Sequence, residues 1–261
     1  MQSSSPILLF DSGLGGLTVL AELRKVLPDA PVIYAADLAG LSYGEKTEAE
    51  IAARVSGLLG RMSERYRPRL VTIACNTAST IALGMVRDVL NVPIVGTVPA
   101  IKPAAALTKT GTIGLLGTAA TIRQQYVDDL EAEFAGDKEL VRHAAPGLVG
   151  AAETLLRGGR PDPAVFEEAI AGLLEKAAGK IDTIVLACTH FPLVEKELRA
   201  VTGPEVNFID GAQGIARRIA YLTREEAFER KREDFAVVTG EVDPALASAL
   251  APFGLADIEQ L

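Results

Sequence analysis

Short apolar segments with strand-like composition alternate along this chain with segments that have helical spacing. In the first part of the chain, strands are predicted at Pro6–Phe10, Val32–Asp37 and Leu70–Cys75, with helices over Leu17–Val26 and Glu48–Tyr66 between them. Strands that are apolar on both faces and are separated by helices are typical of a parallel sheet covered on both sides. The alternation therefore predicts an α/β fold built on parallel sheets.

The same alternation starts again after residue 111, which predicts a second α/β unit similar to the first. Its strongest strands are expected at Thr112–Gly117 and Thr183–Cys188. The first unit should also contain a helix that follows Cys75 and extends to about Leu90, and a strand at Pro93–Gly96. After residue 111, strands are expected at Glu139–His143 and Val206–Ile209, and helices at Ala164–Ala178, Pro192–Ala200 and Gly211–Leu222. The last part of the chain is expected to form a solvated charged helix or linker at Arg224–Asp234, an edge strand at Phe235–Thr239, and a helix that begins with the cap Asp243 and with Pro244.

Proline and glycine residues mark a boundary between the two units near residues 97–111, and a second one near Gly203 and Pro204. The segment after the second boundary can pack back on the first unit or extend the second. We predict that this segment packs back on the first unit, so that residues 1–98 and about 206–261 form one lobe and residues 99–205 form the other. Ligands of open α/β sheets bind beyond the carboxyl ends of the strands, so the functional residues should directly follow the strands.

Composition narrows the class of protein. The chain has 261 residues, of which 49% are hydrophobic, and 34 acidic against 26 basic residues give a net charge of −8. This balance argues against disorder and against a protein that binds nucleic-acid phosphates. No apolar run approaches the ~20 residues of a membrane span, and the N-terminus does not resemble a signal peptide. We therefore expect a cytoplasmic protein without a nucleic-acid or membrane partner.

Two cysteines, Cys75 and Cys188, occupy matching positions in the two units. Each follows an apolar strand and an alanine, and each precedes two polar residues. A free cysteine is usually a small buried apolar residue, but a thiol near a helix N-terminus can also have a lowered pKa. Redox chemistry would favour a C-x-x-C pair, and a hydrolase needs one nucleophile and a separate base. Two opposed thiols instead fit proton exchange on both faces of one carbon.

Two further strand ends carry loops that could hold an anion. The glycines of Asp11–Gly16 would let backbone N–H groups approach a carboxylate at a helix start, although dinucleotide sites and plain turns also use such glycines. The segment Gly117–Thr121 brings two hydroxyl groups, which ordinary helix capping would explain equally well. Tyr43 and Gly44 lie in a long loop and either reach the site or stay on the surface.

Taken together, these motifs resemble those of glutamate racemases in the cofactor-independent aspartate/glutamate racemase superfamily. The resemblance covers roughly residues 7–216. It rests on FDSGLGGLTVL at Phe10–Leu20, YG at Tyr43 and Gly44, ACNTAS at Ala74–Ser79, VGTVPAIKPA at Val95–Ala104, LGTAATI at Leu116–Ile122, ACTHFPLV at Ala187–Val194, and ID at Ile209 and Asp210.

The resemblance implies two α/β lobes with the active site in the cleft between them. It implies Cys75 and Cys188 as the acid/base pair, with Cys75 acting on D-glutamate and Cys188 on L-glutamate, and Asp11 and His190 assisting the neighbouring thiols. The positions that it matches to substrate binding are Asp11, Ser12, Tyr43, Gly44, Asn76, Thr77, Thr118, Thr121, Glu153, Thr189 and His190.

The same resemblance implies a bacterial enzyme that supplies D-glutamate for peptidoglycan, and it leaves open a homodimer. We expect no metal, because two histidines and two cysteines are too few for a structural zinc site. We expect no other cofactor either, because pyridoxal phosphate would need a Schiff-base lysine beside a phosphate site. The nearest candidate, Lys102, precedes a proline and has no phosphate loop beside it.

The sequence departs from the family pattern in two loops. Related sequences often read DTAR-x-PYG where Asp37–Gly44 reads DLAGLSYG, and they often carry Cys-Pro where this chain has Ala145-Pro146. These departures affect loops at the entrance of the pocket, while the residues of the catalytic core match. Two alternatives to a glutamate racemase are considered beside it. One is a racemase for aspartate, a hydantoin or another small acid, and the other is a two-lobed module that binds an amino acid without turnover. A binding module would have no need of a second cysteine on the opposite lobe.

Overall fold

A computed structural model of the chain describes residues 3–261 and contains two parallel sheets, each packed between helices. The first has the strand order β10-β9-β2-β1-β3-β4, and the second has the order β6-β5-β7-β8. The strands of the first sheet are β1 (Ile7–Asp11), β2 (Val32–Ala36), β3 (Leu70–Ile73), β4 (Ile94–Gly96), β9 (Phe235–Val238) and β10 (Asp257–Gln260). Those of the second are β5 (Thr112–Gly117), β6 (Glu139–Ala144), β7 (Ile181–Ala187) and β8 (Asn207–Ile209). The predicted α/β class with two parallel-sheet lobes is confirmed.

The helices of the described residues follow the strands in nearly strict alternation. They are α1 (Leu17–Val26), α2 (Glu48–Tyr66), α3 (Asn76–Val89), α4 (Ile101–Leu107), α5 (Ala119–Ile122), α6 (Gln125–Phe134), α7 (Gly147–Leu156), α8 (Ala164–Leu174), α9 (Glu195–Thr202), α10 (Ala212–Leu222) and α11 (Pro244–Leu250). Over residues 3–261, none of these helices combines the length and the apolar character needed to cross a membrane.

Local sequence explains why these elements form where they do. In β1, Ile7 and Leu9 pack into the core on one side of the sheet while Leu8 and Phe10 pack into the core on the other side. A central strand therefore needs apolar residues at every position. At the other end of the chain, the predicted cap is confirmed, because the Asp243 carboxylate accepts the N–H of Leu246.

Two predictions about the C-terminal part of the chain were wrong. The strand β9 is interior rather than an edge, since it pairs with β2 on one side and with β10 on the other. The edge strand β10 was missed because its sequence, DIEQ, is polar and alternating. The strand β8 pairs with β7 in the second sheet, so that sheet extends past Gly203 and Pro204.

The chain therefore returns to the first sheet after Ile209 and not at about residue 206. The returning helix α10 packs its apolar face, including Ile215 and Ile219, into the same core as Leu17 and Leu20 of α1. The helix predicted at 192–200 also differs, because it opens as a 3₁₀ turn at Phe191–Val194 before α9. The charged segment 224–234 contains no helix. The division of the chain into two lobes with these boundaries otherwise stays a prediction.

A buried arginine joins the two ends of the chain, and its removal should destabilise the fold. The side chain of Arg69 is 1% exposed and pairs with Glu226 at 2.6 Å. It also donates to the carbonyl of Ser5 at 2.7 Å and lies over the ring of Phe228. We expect Arg69→Met to lower the free energy of unfolding by about 2–4 kcal/mol, because buried acceptors lose their donor. Urea denaturation measures this change. The exposed Arg61→Met serves as the control, and equal stability of the two variants would contradict the prediction.

Candidate active site

The first wall of the site is built by the carboxyl ends of β1 and β3. Asp11 is the last residue of β1, and Cys75 is the N-cap of α3, where its sulfur accepts the N–H of Ala78 at 3.5 Å. The hydroxyl of Ser12 also donates to this sulfur, at 3.4 Å. The sulfur therefore takes the place that an oxygen occupies in an ordinary helix cap, and it has two donors that can stabilise a thiolate.

Burial and charge keep Cys75 protonated at neutral pH. Burial and the negative charge of Asp11 together raise the pKa of the Cys75 thiol to about 12, against the two hydrogen bonds. Burial raises the pKa of Asp11 above its usual range as well, partly offset by His190.

The second wall lies at the carboxyl end of β7. Cys188 directly follows this strand, and its sulfur is 3.9 Å from Nδ1 of His190. The other ring nitrogen, Nε2, is 2.8 Å from Oε1 of Glu153 on α7. Burial lowers the pKa of His190, but the hydrogen bonds to Cys188 and Glu153 and the charge of Asp11 outweigh it and raise the pKa to about 10. At neutral pH a positive imidazolium therefore lies beside Cys188.

The glycine loop after β1 contacts residues of the second lobe directly. The backbone N–H of Leu14 donates to Oε1 of Glu153 at 2.7 Å, and Thr189 donates to Oδ1 of Asp11 at 3.1 Å. A Cβ on Gly15 would lie 2.5 Å from Oγ1 of Thr189. Glycine is required here for the approach of the second lobe. The loop was expected to offer backbone N–H groups to an anion, and one of these groups, the N–H of Leu14, donates to the carboxylate of Glu153.

Three threonines from both lobes form a hydroxyl cluster at another part of the cleft. Thr77 lies 2.9 Å from Thr118 and 3.1 Å from Thr121, measured between side-chain oxygens. Thr118 donates to Thr121 at 3.0 Å and also caps α5. All three are buried. Because each hydroxyl can rotate and donate elsewhere, the cluster can satisfy itself or bind a carboxylate.

The loop of residues 38–44, here called the interlobe loop, lies against this cluster. A Cβ on Gly44 would be 2.9 Å from Cβ of Thr118. The hydroxyl of Tyr43 donates to Asp37 at 2.6 Å. The buried Asn76 lies at the start of α3 and lines a small cavity together with Cys188 and Thr189. The structure thus brings all the predicted site residues to the two facing walls or to the loop that joins them.

Two cavities lie near the strand ends. The cavity beside Cys188 has a volume of about 10 Å³, which is roughly the space of one water molecule. A larger cavity, of about 470 Å³, lies between α4 and α10, and neither thiol lines it.

Two site residues were missed by sequence reasoning. The hydroxyl of Tyr34 is fully buried inside β2 and donates to the carbonyl of Gly13 at 2.7 Å, which holds the glycine loop. In the sequence, Tyr34 is one aromatic residue of an apolar strand, and no motif marks it as a site residue. Asp37 was noted only as a motif position, and its partner Arg54 on α2 was not considered. Within residues 3–261, no group of three or more His, Cys, Asp and Glu side chains could hold a metal ion. The absence of a cofactor stays a prediction.

Comparison with known proteins identifies the family. The model of the Asp/Glu/Hydantoin racemase family matches residues 18–219. The chain belongs to this family. It is 59% identical to the glutamate racemase of Sphingopyxis alaskensis over 259 residues, which cover 98% of this chain and 97% of the relative. The resemblance to glutamate racemases found in the sequence is confirmed.

Solved structures agree with this assignment. A crystal structure of Escherichia coli glutamate racemase in complex with L-glutamate and the activator UDP-MurNAc-Ala is 38% identical, with a TM-score of 0.90 and 98% of both chains covered. The RacE1 isoform of glutamate racemase from Bacillus anthracis is 26% identical, with a TM-score of 0.83 over 100% of this chain and 98% of that one. The chain is thus an isomerase of the racemase type, and the alternative of a binding module without turnover loses its support. The roles of the individual site residues stay predictions.

Proposed function

We propose that this member of the family is a glutamate racemase, which interconverts L- and D-glutamate by moving the α-proton between two thiols without a cofactor. The observation that carries the proposal is the pair of buried thiols, Cys75 and Cys188, on facing walls at equivalent strand ends. The high identity to glutamate racemases over nearly the whole chain supports glutamate as the substrate.

The reaction uses one thiolate and one thiol. The thiolate takes the proton from one face of Cα, so that the C–H bond breaks, an S–H bond forms and a carbanion remains. The opposite thiol then delivers its proton to the other face, which inverts the stereocentre and leaves a thiolate on that side. Reversal of the reaction exchanges the two roles, and groups of similar chemistry suit both directions.

The surroundings of the two thiols differ. The imidazolium of His190 lies beside the sulfur of Cys188, while burial and the carboxylate of Asp11 keep the proton on Cys75. In the direction from L- to D-glutamate, Cys188 takes the proton and Cys75 delivers one. The new thiolate at Cys75 is then stabilised by Ser12 and by the N–H of Ala78.

The hydroxyl cluster and the helix N-termini hold the carboxylates of glutamate. The hydroxyl groups of Thr77, Thr118 and Thr121 turn from one another towards the substrate when the lobes close on it. Hydroxyls and backbone N–H groups at helix starts are effective donors to carboxylates. The substrate replaces the mutual hydrogen bonds of the cluster, so that no buried donor is left unpaired.

Deuterium exchange tests the function directly. Purified protein is mixed with L- or D-glutamate in deuterated water without added cofactor, and optical rotation and α-deuterium are followed. We expect both enantiomers to reach the racemate with solvent deuterium at Cα. Absence of racemisation would overturn the proposal. Loss of activity on chelation, or an absorbance band of a bound aldimine, would refute the cofactor-independent chemistry.

The finer parts of the proposal concern the cell. We propose that the enzyme works in a bacterial cytoplasm and supplies D-glutamate for peptidoglycan. Deletion of its gene should then make growth depend on added D-glutamate, and growth without it would contradict this role. Sedimentation at several protein concentrations tests the homodimer that the resemblance leaves open.

Removal of the carboxylate at Glu153 should change the pH profile. The hydrogen bond to Glu153 is one of the interactions that raise the pKa of His190, beside those with Cys188 and Asp11, so its loss in Glu153→Gln should lower this pKa. The imidazolium would then be lost at lower pH, and we expect the basic limb of kcat/KM to move down from the region of pH 10. Profiles between about pH 6 and 10 measure this shift.

The same substitution should affect stability in a defined pH window. The folded pKa of His190, about 10, lies above its ordinary value of 6.5. Protonation of His190 therefore stabilises the folded state fully below about pH 6.5, and this stabilisation is lost as the pH rises through 10. Glu153→Gln should reduce this stabilisation, because one of the interactions that raise the pKa is lost, whereas the exposed Glu168→Gln on α8 serves as the control. An unchanged basic limb would exclude the proposed role of Glu153.

A further inference from the structure

The carboxylate of Asp37 is fully buried at the carboxyl end of β2 and is held from three directions. Arg54 on α2 binds both of its oxygens, with Nη2 at 2.7 Å from Oδ1 and Nε on Oδ2. Tyr43 donates to Oδ2 at 2.6 Å, and Thr239 at the end of β9 donates to Oδ1. A bidentate arginine–carboxylate pair fixes direction as well as distance. Asp37 therefore ties Tyr43 to α2 and to the sheet.

The interlobe loop that contains Tyr43 extends from the first sheet to the second lobe. Leu41 packs against the apolar cluster of the second lobe, and Gly44 lies directly against Thr118 of the hydroxyl cluster. The position of the loop therefore decides how closely its backbone approaches the groups that we propose bind glutamate. A shift of about 1 Å in such a group can cost on the order of 10²-fold in rate.

We propose that Arg54 is a positioning residue of the racemase, which acts through Asp37 to hold Tyr43 and Gly44 against the hydroxyl cluster and so sets the affinity for glutamate. This inference rests on the proposed function. Arg54 does not line the cavity beside Cys188, and its side chain is 35% exposed while that of Asp37 is inaccessible. Its effect on the substrate is therefore indirect.

Gly40 leaves the space that this ion pair occupies. A Cβ on Gly40 would overlap Oδ2 of Asp37 and would lie 2.5 Å from Nε of Arg54. A larger residue at position 40 would therefore displace Asp37 as well as Arg54, and the absence of a side chain at Gly40 lets the two charged groups meet.

Three variants test the inference by steady-state kinetics with glutamate. They are Arg54→Met, Arg54→Lys, and Arg61→Met as an exposed control on the same helix. We expect Arg54→Met to raise KM by about tenfold and to change kcat by less than about threefold. This pattern is expected when a substitution weakens binding of the substrate and of the transition state equally. Arg54→Lys should be intermediate, because an ammonium lacks the bidentate fork.

The outcomes separate positioning from simple destabilisation. Melting temperatures identify variants that are less stable, and kinetics are measured well below them. Equal KM values for Arg54→Met and Arg61→Met would overturn the inference, and so would a KM for Arg54→Lys no lower than that of Arg54→Met. Glutamate binding by calorimetry reports the Arg54 effect without turnover, and wild-type racemisation tests the proposed function separately.

Discussion

Cys75→Ala and Cys188→Ala should each lower the racemisation of glutamate by about 10³- to 10⁴-fold in both directions. Loss of one acid/base group commonly costs about 10²–10⁴-fold, and the α-proton of an amino acid is so weakly acidic that the loss should be severe. Each variant lacks the only proton donor or acceptor on one face of Cα. The fold should stay intact, because alanine is smaller than the buried cysteine and brings no new polar group.

Deuterium exchange makes this prediction sharper than a loss of activity. A variant with one remaining thiol can still take the α-proton from the enantiomer that faces it and return deuterium to the same face. We therefore expect Cys188→Ala to exchange only D-glutamate and Cys75→Ala only L-glutamate, each without inversion. Ser63→Ala on α2 is the control, a change of similar size away from the cleft. Turnover above about a tenth of the wild-type value in either cysteine variant would exclude the two-base assignment.

Glutamate should be preferred over aspartate by at least about 10²-fold in kcat/KM. The site must hold two carboxylates and one ammonium while Cα stays between the thiols. Its polar groups are short and fixed on helix starts and loops, as Ser12, Thr77 and Thr118 illustrate. Aspartate is one methylene shorter, so it cannot satisfy both ends of the site and keep Cα in place. A misplacement of about 1 Å costs on the order of 10²-fold, and unpaired buried donors add to this.

Steady-state kinetics with both enantiomers of both amino acids decide the second prediction. The cysteine variants serve as blanks for any contaminating racemase. A kcat/KM for aspartate equal to or above that for glutamate would remove the glutamate assignment and the role in peptidoglycan supply. The chain would remain a racemase of the Asp/Glu/Hydantoin family, because that conclusion rests on the family match and not on the size of the substrate.

Much of the fold and of the chemistry was contained in local sequence patterns. The runs at Ile7–Asp11 and Ile181–Ala187 are apolar at almost every position because both faces of a central parallel strand are buried. The matching positions of Cys75 and Cys188 after such strands predicted that both thiols would reach the same kind of strand end. These inferences succeed because periodicity, capping and turn chemistry act over a few neighbouring residues.

The tertiary structure decided how these local pieces are combined. Whether β9 is interior or at the edge depends on β10, a polar strand that forms only because its neighbour offers unpaired backbone groups. The Oε1 atom of Glu153 contacts His190 and also accepts the backbone N–H of Leu14, which lies 139 positions before Glu153 in the sequence. Arg54 meets Asp37 because α2 packs beside the end of β2. Such pairings depend on which surfaces are buried together and on which buried charges must then be neutralised. The spacing of residues along the chain predicts neither of these conditions.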